Sequence, residues 1–189
     1  MNTREKIIVS ARNLFETYGY KKVSMEEIAI KTGITKKTLY SYFSSKDELF
    51  GYFITEEVAN MKMIVTKIES LNLSPTKKLH EMIYELIKYK KNSKFINTIT
   101  REIQDIKSSN VKKFDNKINE NIRGFIEERL TLSIKNKEIK KVNVKIVGFI
   151  IYNLYMTTLF SKQNIELDEK EISDTLTLIL KEGLLNEGE

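Results

Sequence analysis

From Val23 to Leu49 the chain reads VSMEEIAIKTGITKKTLYSYFSSKDEL, and this stretch decides the fold. Ser24 is placed to accept from the free amides of a first helical turn, Glu27 reaches back to it, and Val23 clamps against Ile28 as a hydrophobic staple. A helix therefore starts at Ser24 and stops at Gly33, which tolerates the left-handed backbone that a helix end commonly needs. Thr35 caps a second helix in which Leu39, Tyr40 and Phe43 fall at helical spacing for burial. That helix carries Lys36, Lys37, Thr38, Tyr40, Ser41 and Tyr42, all able to donate to phosphates or base edges. Ser45 with Glu48 forms a further capping box and opens a longer helix at Lys46.

Two short helices joined by a glycine turn are common, and many never touch nucleic acid. Charge sharpens the signal: residues 31–46 hold Lys31, Lys36, Lys37 and Lys46 and no acidic residue, a surface suited to phosphates. A solvated basic face carries the same lysines. The segment resembles the TetR family of bacterial repressors through Ile28-Ala29, Gly33, Thr35, Lys36-Lys37, Thr38-Leu39-Tyr40, Tyr42-Phe43 and Ser45-Lys46-Asp47. The resemblance implies that the helix beginning at Thr35 enters the major groove of double-stranded DNA. It further implies DNA contacts from Thr35, Lys36, Lys37, Thr38, Tyr40, Tyr42 and Lys46. Ser24 and Ser41 join this set, Ser24 because amides at a helix N-terminus attract anions and Ser41 as a hydroxyl donor on the same helix. Thr32 stands where the family often has alanine, and Lys37 where many members have a small residue, so the operator sequence is not transferable from relatives.

With 189 residues the chain holds one small module and one medium domain. Its 32 Lys+Arg outnumber 26 Asp+Glu, a net charge of +6 that favours polyanions. Cysteine is absent, which excludes disulfides and thiolate ligands and suits a reducing, cytoplasmic setting. Met1 to Lys6 lead into an amphipathic helix rather than a signal-peptide core, and the apolar run Ile146 to Phe160 falls short of the roughly 20 residues of a membrane span. A soluble protein without a membrane partner is expected.

One proline, seven glycines and little period-2 alternation predict an all-α fold of about nine helices. The resemblance implies an N-terminal three-helix, helix-turn-helix DNA-binding domain over 1–48 and a C-terminal helical ligand-binding and dimerisation domain over 49–189. Helix one runs from about Thr3 to Tyr18 and helix four, about 45–70, links the domains. Helix five spans about 75–91 behind Ser74-Pro75, helix six about Lys94 to Lys107, and a turn at Ser108–Asn110 precedes helix seven. Asn143 caps helix eight, which is apolar on nearly every side, and Asp168 with Glu171 opens helix nine. The short polar loop between them lets helices eight and nine pack antiparallel.

The apolar excess of these last helices asks for cover, either inside one chain or from a second copy. The resemblance implies a homodimer through a four-helix bundle, with Ile150, Leu154, Thr158, Ile172, Leu176, Ile179 and Leu180 at the interface. Two reading helices then address major grooves about 34 to 36 Å apart on a palindromic site. It also implies a pocket for an unknown small-molecule effector between helices five, seven and eight, whose binding spreads the reading heads. Tyr84, Phe114, Phe125, Tyr152, Tyr155 and Met156 suit such a lining, and read equally as core.

No catalytic or metal constellation accompanies the lone His80, so neither an enzyme nor a cofactor is expected. The function predicted is a ligand-responsive repressor released from its operator by the effector. The competing classes are an activator and a helical ligand-binding protein without repressor activity.

Overall fold

A computed structural model describes the backbone of residues 1–102, 109–160 and 168–185, and the side chains of residues 1–98, 119–157 and 168–185. Among them the chain forms α1 (Thr3–Tyr18), α2 (Met25–Thr32), α3 (Lys36–Tyr42), α4 (Lys46–Glu69), α5 (Pro75–Asn92), α6 (Lys94–Glu102), α7 (Ser109–Lys135), α8 (Val144–Phe160) and α9 (Glu169–Leu184). The fold is all-α. No strand occurs among the described residues, only an isolated bridge between Ile139 and Leu185.

Local chemistry sets the ends of these helices. Asn2 caps α1 in a full capping box with Glu5, and Gly19 at φ 82° stops it, its N–H donating to Phe15 O. Asn143 Oδ1 accepts from Lys145 N and Ile146 N at the start of α8. Two expected caps differ. Glu48 turns its carboxylate to Ser44, at 2.6 Å from both N and Oγ, so only the Ser45 half of the box forms, with Glu48 N donating to Ser45 Oγ at 3.1 Å. Asp168 makes no side-chain cap bond, and at the start of α9 Ile172 N donates to Asp168 O at 3.0 Å. Helix α7 begins at Ser109, inside the expected turn, and the expected residues 103–107 of helix six lie outside the described residues.

The chain divides into two compact units. Unit 1 comprises Met1–Glu57 and Ser93–Asn116, and so extends past the boundary expected at residue 48. The reason lies in its core. Ile7, Ala11 and Phe15, one α1 face at i, i+4 and i+8, meet Ile28, Leu39, Leu49 and Phe53, all fully buried. Phe53 in α4 is ringed by Phe15, Tyr52 and Phe95, with ring centroids 5.9, 5.5 and 5.6 Å away. Phe50 and Phe53 cover the Phe15 end of this α1 face, and Phe95 closes the cluster behind them. Arg12 closes the edge of this cluster: its guanidinium lies 5.0 Å from the Phe53 ring and 5.2 Å from Phe95, and donates at 2.8 Å to both Glu57 and Glu56. Burial opposes that charge, but the hydrogen bonds and negative charges of Glu57 and Glu56 override it and raise the Arg12 pKa.

Unit 2 comprises Val58–Asn92 and Lys117–Glu189. Here α9 packs along α5, not along α8 as expected. Polar contacts settle the pairing: Ser173 Oγ donates to His80 O at 3.1 Å, His80 Nε2 meets Asp174 Oδ1 at 2.9 Å, and Lys91 pairs with Glu169. The inward face of α8, Val147 and Ile151, packs with Leu130, Ile139 and Leu185 instead. Its opposite face carries Ile146, Phe149 and Ile150, 57, 55 and 48% exposed. Replacing Phe53 by Ala is expected to lower stability by about 3–5 kcal/mol, read as a shift in the denaturant midpoint monitored by helical circular dichroism.

Candidate nucleic-acid interface and effector cavity

The reading pair is built as its caps dictate. Ser24 Oγ accepts from Glu27 N at 3.2 Å, while the Glu27 carboxylate accepts from Ser24 N at 2.7 Å and Ser24 Oγ at 2.8 Å. These bonds to the charged form hold the Glu27 pKa below the usual carboxylate value. Val23 and Ile28 are both buried, as a staple requires. Gly33 sits at φ 74°, and Ile34 N donates to Ala29 O across the turn at 3.1 Å. Open space surrounds the position, so the demand for glycine is conformational rather than steric. Thr35 then caps α3 by accepting from Thr38 N.

Helix α3 buries only Leu39. Lys36, Lys37, Ser41 and the rings of Tyr40 and Tyr42, 44 and 42% exposed, all reach solvent. The hydroxyls of the set are largely turned to their own backbone: Ser41 Oγ donates to Thr38 O at 2.7 Å, and the Thr35 and Thr38 hydroxyls share a 2.8 Å bond. Lys36 has a long, exposed contact of 3.5 Å with Glu26, too weak to hold it. What α3 offers a partner is therefore two lysine ammonium groups and two tyrosine rings with their hydroxyls.

Lys46 is placed differently from the rest of the expected set. Its ammonium donates at 2.9 Å to Tyr20 O and at 2.9 Å to Val23 O, and lies 4.2 Å from the Tyr20 ring centroid. The cation clasps the loop between α1 and α2 to the start of α4. The neighbouring Tyr20 hydroxyl donates to Asp47, and burial with that negative partner pushes its pKa up. Beside α3 a shallow depression of about 480 Å³ gathers Lys21, Lys22, Lys36 and Lys46. Lys21 and Lys22 are absent from the expected set; their adjacency to the Val23 staple was the available signal, since a staple fixes where the preceding side chains emerge.

Unit 2 holds a partly open cavity of about 510 Å³, lined from α4, α5, α7, α8 and α9. Of the residues expected to line it, Phe125 and Tyr155 do. Tyr84 stacks on His80 with centroids 6.4 Å apart, and Tyr152 is buried with its hydroxyl donating to Asn119 Oδ1 at 2.6 Å, so both are engaged elsewhere. Met156 is likewise not among the lining residues, and the Phe114 side chain lies outside the described ones. The lining is mostly aliphatic, from Val58, Val65, Leu79, Ile83, Leu86 and their neighbours, which periodicity in the sequence marked only as core.

Among the residues expected at a dimer interface, Ile150 and Ile179 point outward, 48 and 60% exposed, and Leu154 is partly exposed while also edging the cavity. Leu176 and Leu180 instead line the cavity, and Ile172 is half-buried. Thr158 lies outside the described side chains. The outward faces also carry Ile146, Phe149 and Leu178, which were outside the expected set. The cause on α9 is its packing on α5, which turns the i, i+4 row Leu176, Leu180 and Leu184 inward and leaves Leu178 and Ile179 outside.

A capped helix pair, braced by a buried first helix and exposing a lysine-bearing second member, defines a helix-turn-helix DNA-binding protein. Residues 7–53 match the family model described as bacterial regulatory proteins, tetR family. Over 184 residues the chain is 26% identical to an uncharacterized HTH-type transcriptional regulator, YhgD of Bacillus subtilis (strain 168), with 96% of each chain covered. A Clostridium perfringens protein described as a candidate fatty acid metabolism regulator aligns in structure with a TM-score of 0.68 at 25% identity, covering 96% of this chain and 100% of its own. AibR, solved in complex with isovaleryl coenzyme A and operator DNA, aligns with a TM-score of 0.62 at 19% identity, covering 94% of this chain and 97% of its own. Residues 7–53 thus carry the tetR-family helix-turn-helix domain, and over its whole length the chain is similar to HTH-type transcriptional regulators.

Replacing Lys46 by Met is expected to lower the melting temperature, because two buried carbonyls lose a charged donor at a cost of about 1.5–3 kcal/mol. Lys37→Ala, on the exposed face of α3, is expected to stay within about 0.5 kcal/mol of the parent in the same thermal unfolding measurement.

Proposed function

We propose that this chain is a one-component repressor that binds a palindromic operator as a homodimer and releases it when a small-molecule effector occupies the cavity of unit 2. DNA reading is assigned to residues 1–48, and effector binding and dimerisation to 49–189. The observation that carries the reading is α3, which buries Leu39 and presents Lys36, Lys37, Tyr40 and Tyr42 to solvent. Phosphate contacts by such lysines supply affinity, and the first turn of the helix is where side chains reach base edges. The cavity, within the range of about 300–1,000 Å³ typical of small-molecule sites, supports an effector. AibR, of the same fold, has been solved in complex with isovaleryl coenzyme A and operator DNA, which supports an architecture that takes both kinds of ligand. The effector acts only through differential affinity for the DNA-bound and free states. The reading assigns the chain no catalytic role and places it in the cytoplasm, with the DNA it regulates; among the described residues no helix is long and apolar enough to cross a membrane.

Exposed Ile146, Phe149 and Ile150 on α8, with Leu178 and Ile179 on α9, support the dimer, since apolar side chains clustered on helix faces mark association surfaces. Sedimentation is expected to give a dimer at micromolar concentration, shifted to monomer by Ile150→Glu with Ile179→Glu. A parent chain that sediments as a monomer overturns the dimer.

Titration of the chain's own upstream DNA, followed by fluorescence anisotropy, tests the operator reading. Lys36→Ala with Lys37→Ala is expected to weaken binding and to reduce the salt slope by about two, roughly one per lost phosphate contact. Unchanged affinity and slope in the double variant would remove α3 from the interface.

A further inference from the structure

The cavity of unit 2 is apolar for most of its length and cationic in one place. Three basic side chains line it, Lys62, Lys78 and Arg129, against two carboxylates, Glu69 and Glu138. Two of the cations converge on one ring: the Phe125 centroid lies 5.2 Å from Lys62 Nζ and 5.0 Å from the Arg129 guanidinium carbon. Neither is fully satisfied. Arg129 donates at 2.9 Å to Glu69 through Nη1 and at 2.9 Å to Glu128 through Nη2, but its Nε is buried without a hydrogen-bond partner. Lys62 makes no ion pair among the described residues. Lys78 is committed to the backbone, donating to Glu69 O at 2.9 Å. A buried donor without an acceptor is costly, and an ammonium resting only on an aromatic face keeps its hydrogen-bonding capacity for another group.

We propose that this cavity takes an anionic amphiphile, an alkyl carboxylic acid whose chain lies among the aliphatic side chains of α4, α5 and α7 and whose carboxylate sits between Lys62 and Arg129. This rests on the effector reading given above and names the chemistry of that effector. The carboxylate supplies an ion-pair partner for Lys62 and a further acceptor for the Arg129 guanidinium, and charge-assisted bonds of this kind are the strong ones. It also competes with Glu69 for Arg129. The Arg129–Glu69 pair joins α7 to the C-terminal end of α4, so occupancy exchanges a link between two helices for a link from α7 to the ligand. The cavity volume of about 510 Å³ accommodates an alkyl chain with its head group.

Calorimetric titration of the full chain with decanoate, decanol and decanoyl coenzyme A tests this. Decanoate is expected to bind about tenfold or more tighter than decanol. Lys62→Met, which breaks no ion pair, is expected to bring the two within about threefold, and Glu69→Gln is expected to tighten decanoate alone by freeing Arg129. Equal affinity for acid and alcohol, an acid preference that survives Lys62→Met, or binding by none of the three overturns the proposal. Decanoyl coenzyme A binding more tightly than decanoate, with no loss in Lys62→Met, also overturns it by moving the recognised charge to the nucleotide. Operator affinity is measured separately: decanoate bound with operator retained supports the ligand class and overturns the release mechanism, whereas operator released by decanol as readily as by decanoate upholds the release mechanism and overturns the ligand class.

Discussion

The position of the reading helix depends on a clasp made by one ammonium group. Lys46, the first residue of α4, holds the carbonyls of Tyr20 and Val23, and the Tyr20 ring rests 4.6 Å from the Phe50 ring. Tyr20 and Val23 lie in the short loop between α1 and α2, outside both helices, and the ammonium supplies a donor to their carbonyls. With the donor, the start of α2 is fixed to the start of α4, and α3, which lies between them in sequence, has both of its neighbours anchored. A recognition surface needs that rigidity, because side chains displaced by even an ångström lose directional hydrogen bonds.

The same arrangement bears on the DNA contact expected of Lys46. Its place near a helix N-terminus reads in sequence as a phosphate contact, and the structure shows it bonded to the protein's own backbone. The two are compatible only to the extent that the ammonium has a donor left to give. Lys36 and Lys37, held by nothing stronger than the loose contact to Glu26, are the residues whose charge is available to a polyanion.

Much of unit 1 was legible because its signals are local. Capping residues, the glycine at a left-handed position and a staple each act within one turn, so Ser24, Gly33 and Thr35 mark their helix ends to the residue. The third row of the core was not legible, because Phe95 reaches Phe50 and Phe53 from some forty positions away and its spacing within α6 says nothing of that. In unit 2 the helices were legible and their partners were not. Apolar spacing identified α9, yet whether Leu176 and Leu180 face a second copy or the chain's own interior turned on its packing against α5, which the loop length between α8 and α9 did not encode. Of the aromatic and methionine residues expected in the pocket, Phe125 and Tyr155 line it, whereas Tyr84, Tyr152 and Met156 do not, for the same reason: composition ranks side chains by type, whereas a cavity selects them by direction.

The contribution of Phe95 reaches beyond packing. The polypeptide leaves the N-terminal unit after Glu57 and comes back at Ser93, so the aromatic cluster is closed by a segment that arrives from the far side of an intervening stretch of another unit. A reading head excised at residue 57 would bare the faces of Phe50 and Phe53 and lose solubility along with them. Hybrids that graft this head onto a foreign body inherit the same defect unless the graft also imports α6, which makes the boundary between modules a discontinuous one for engineering and for recombination alike.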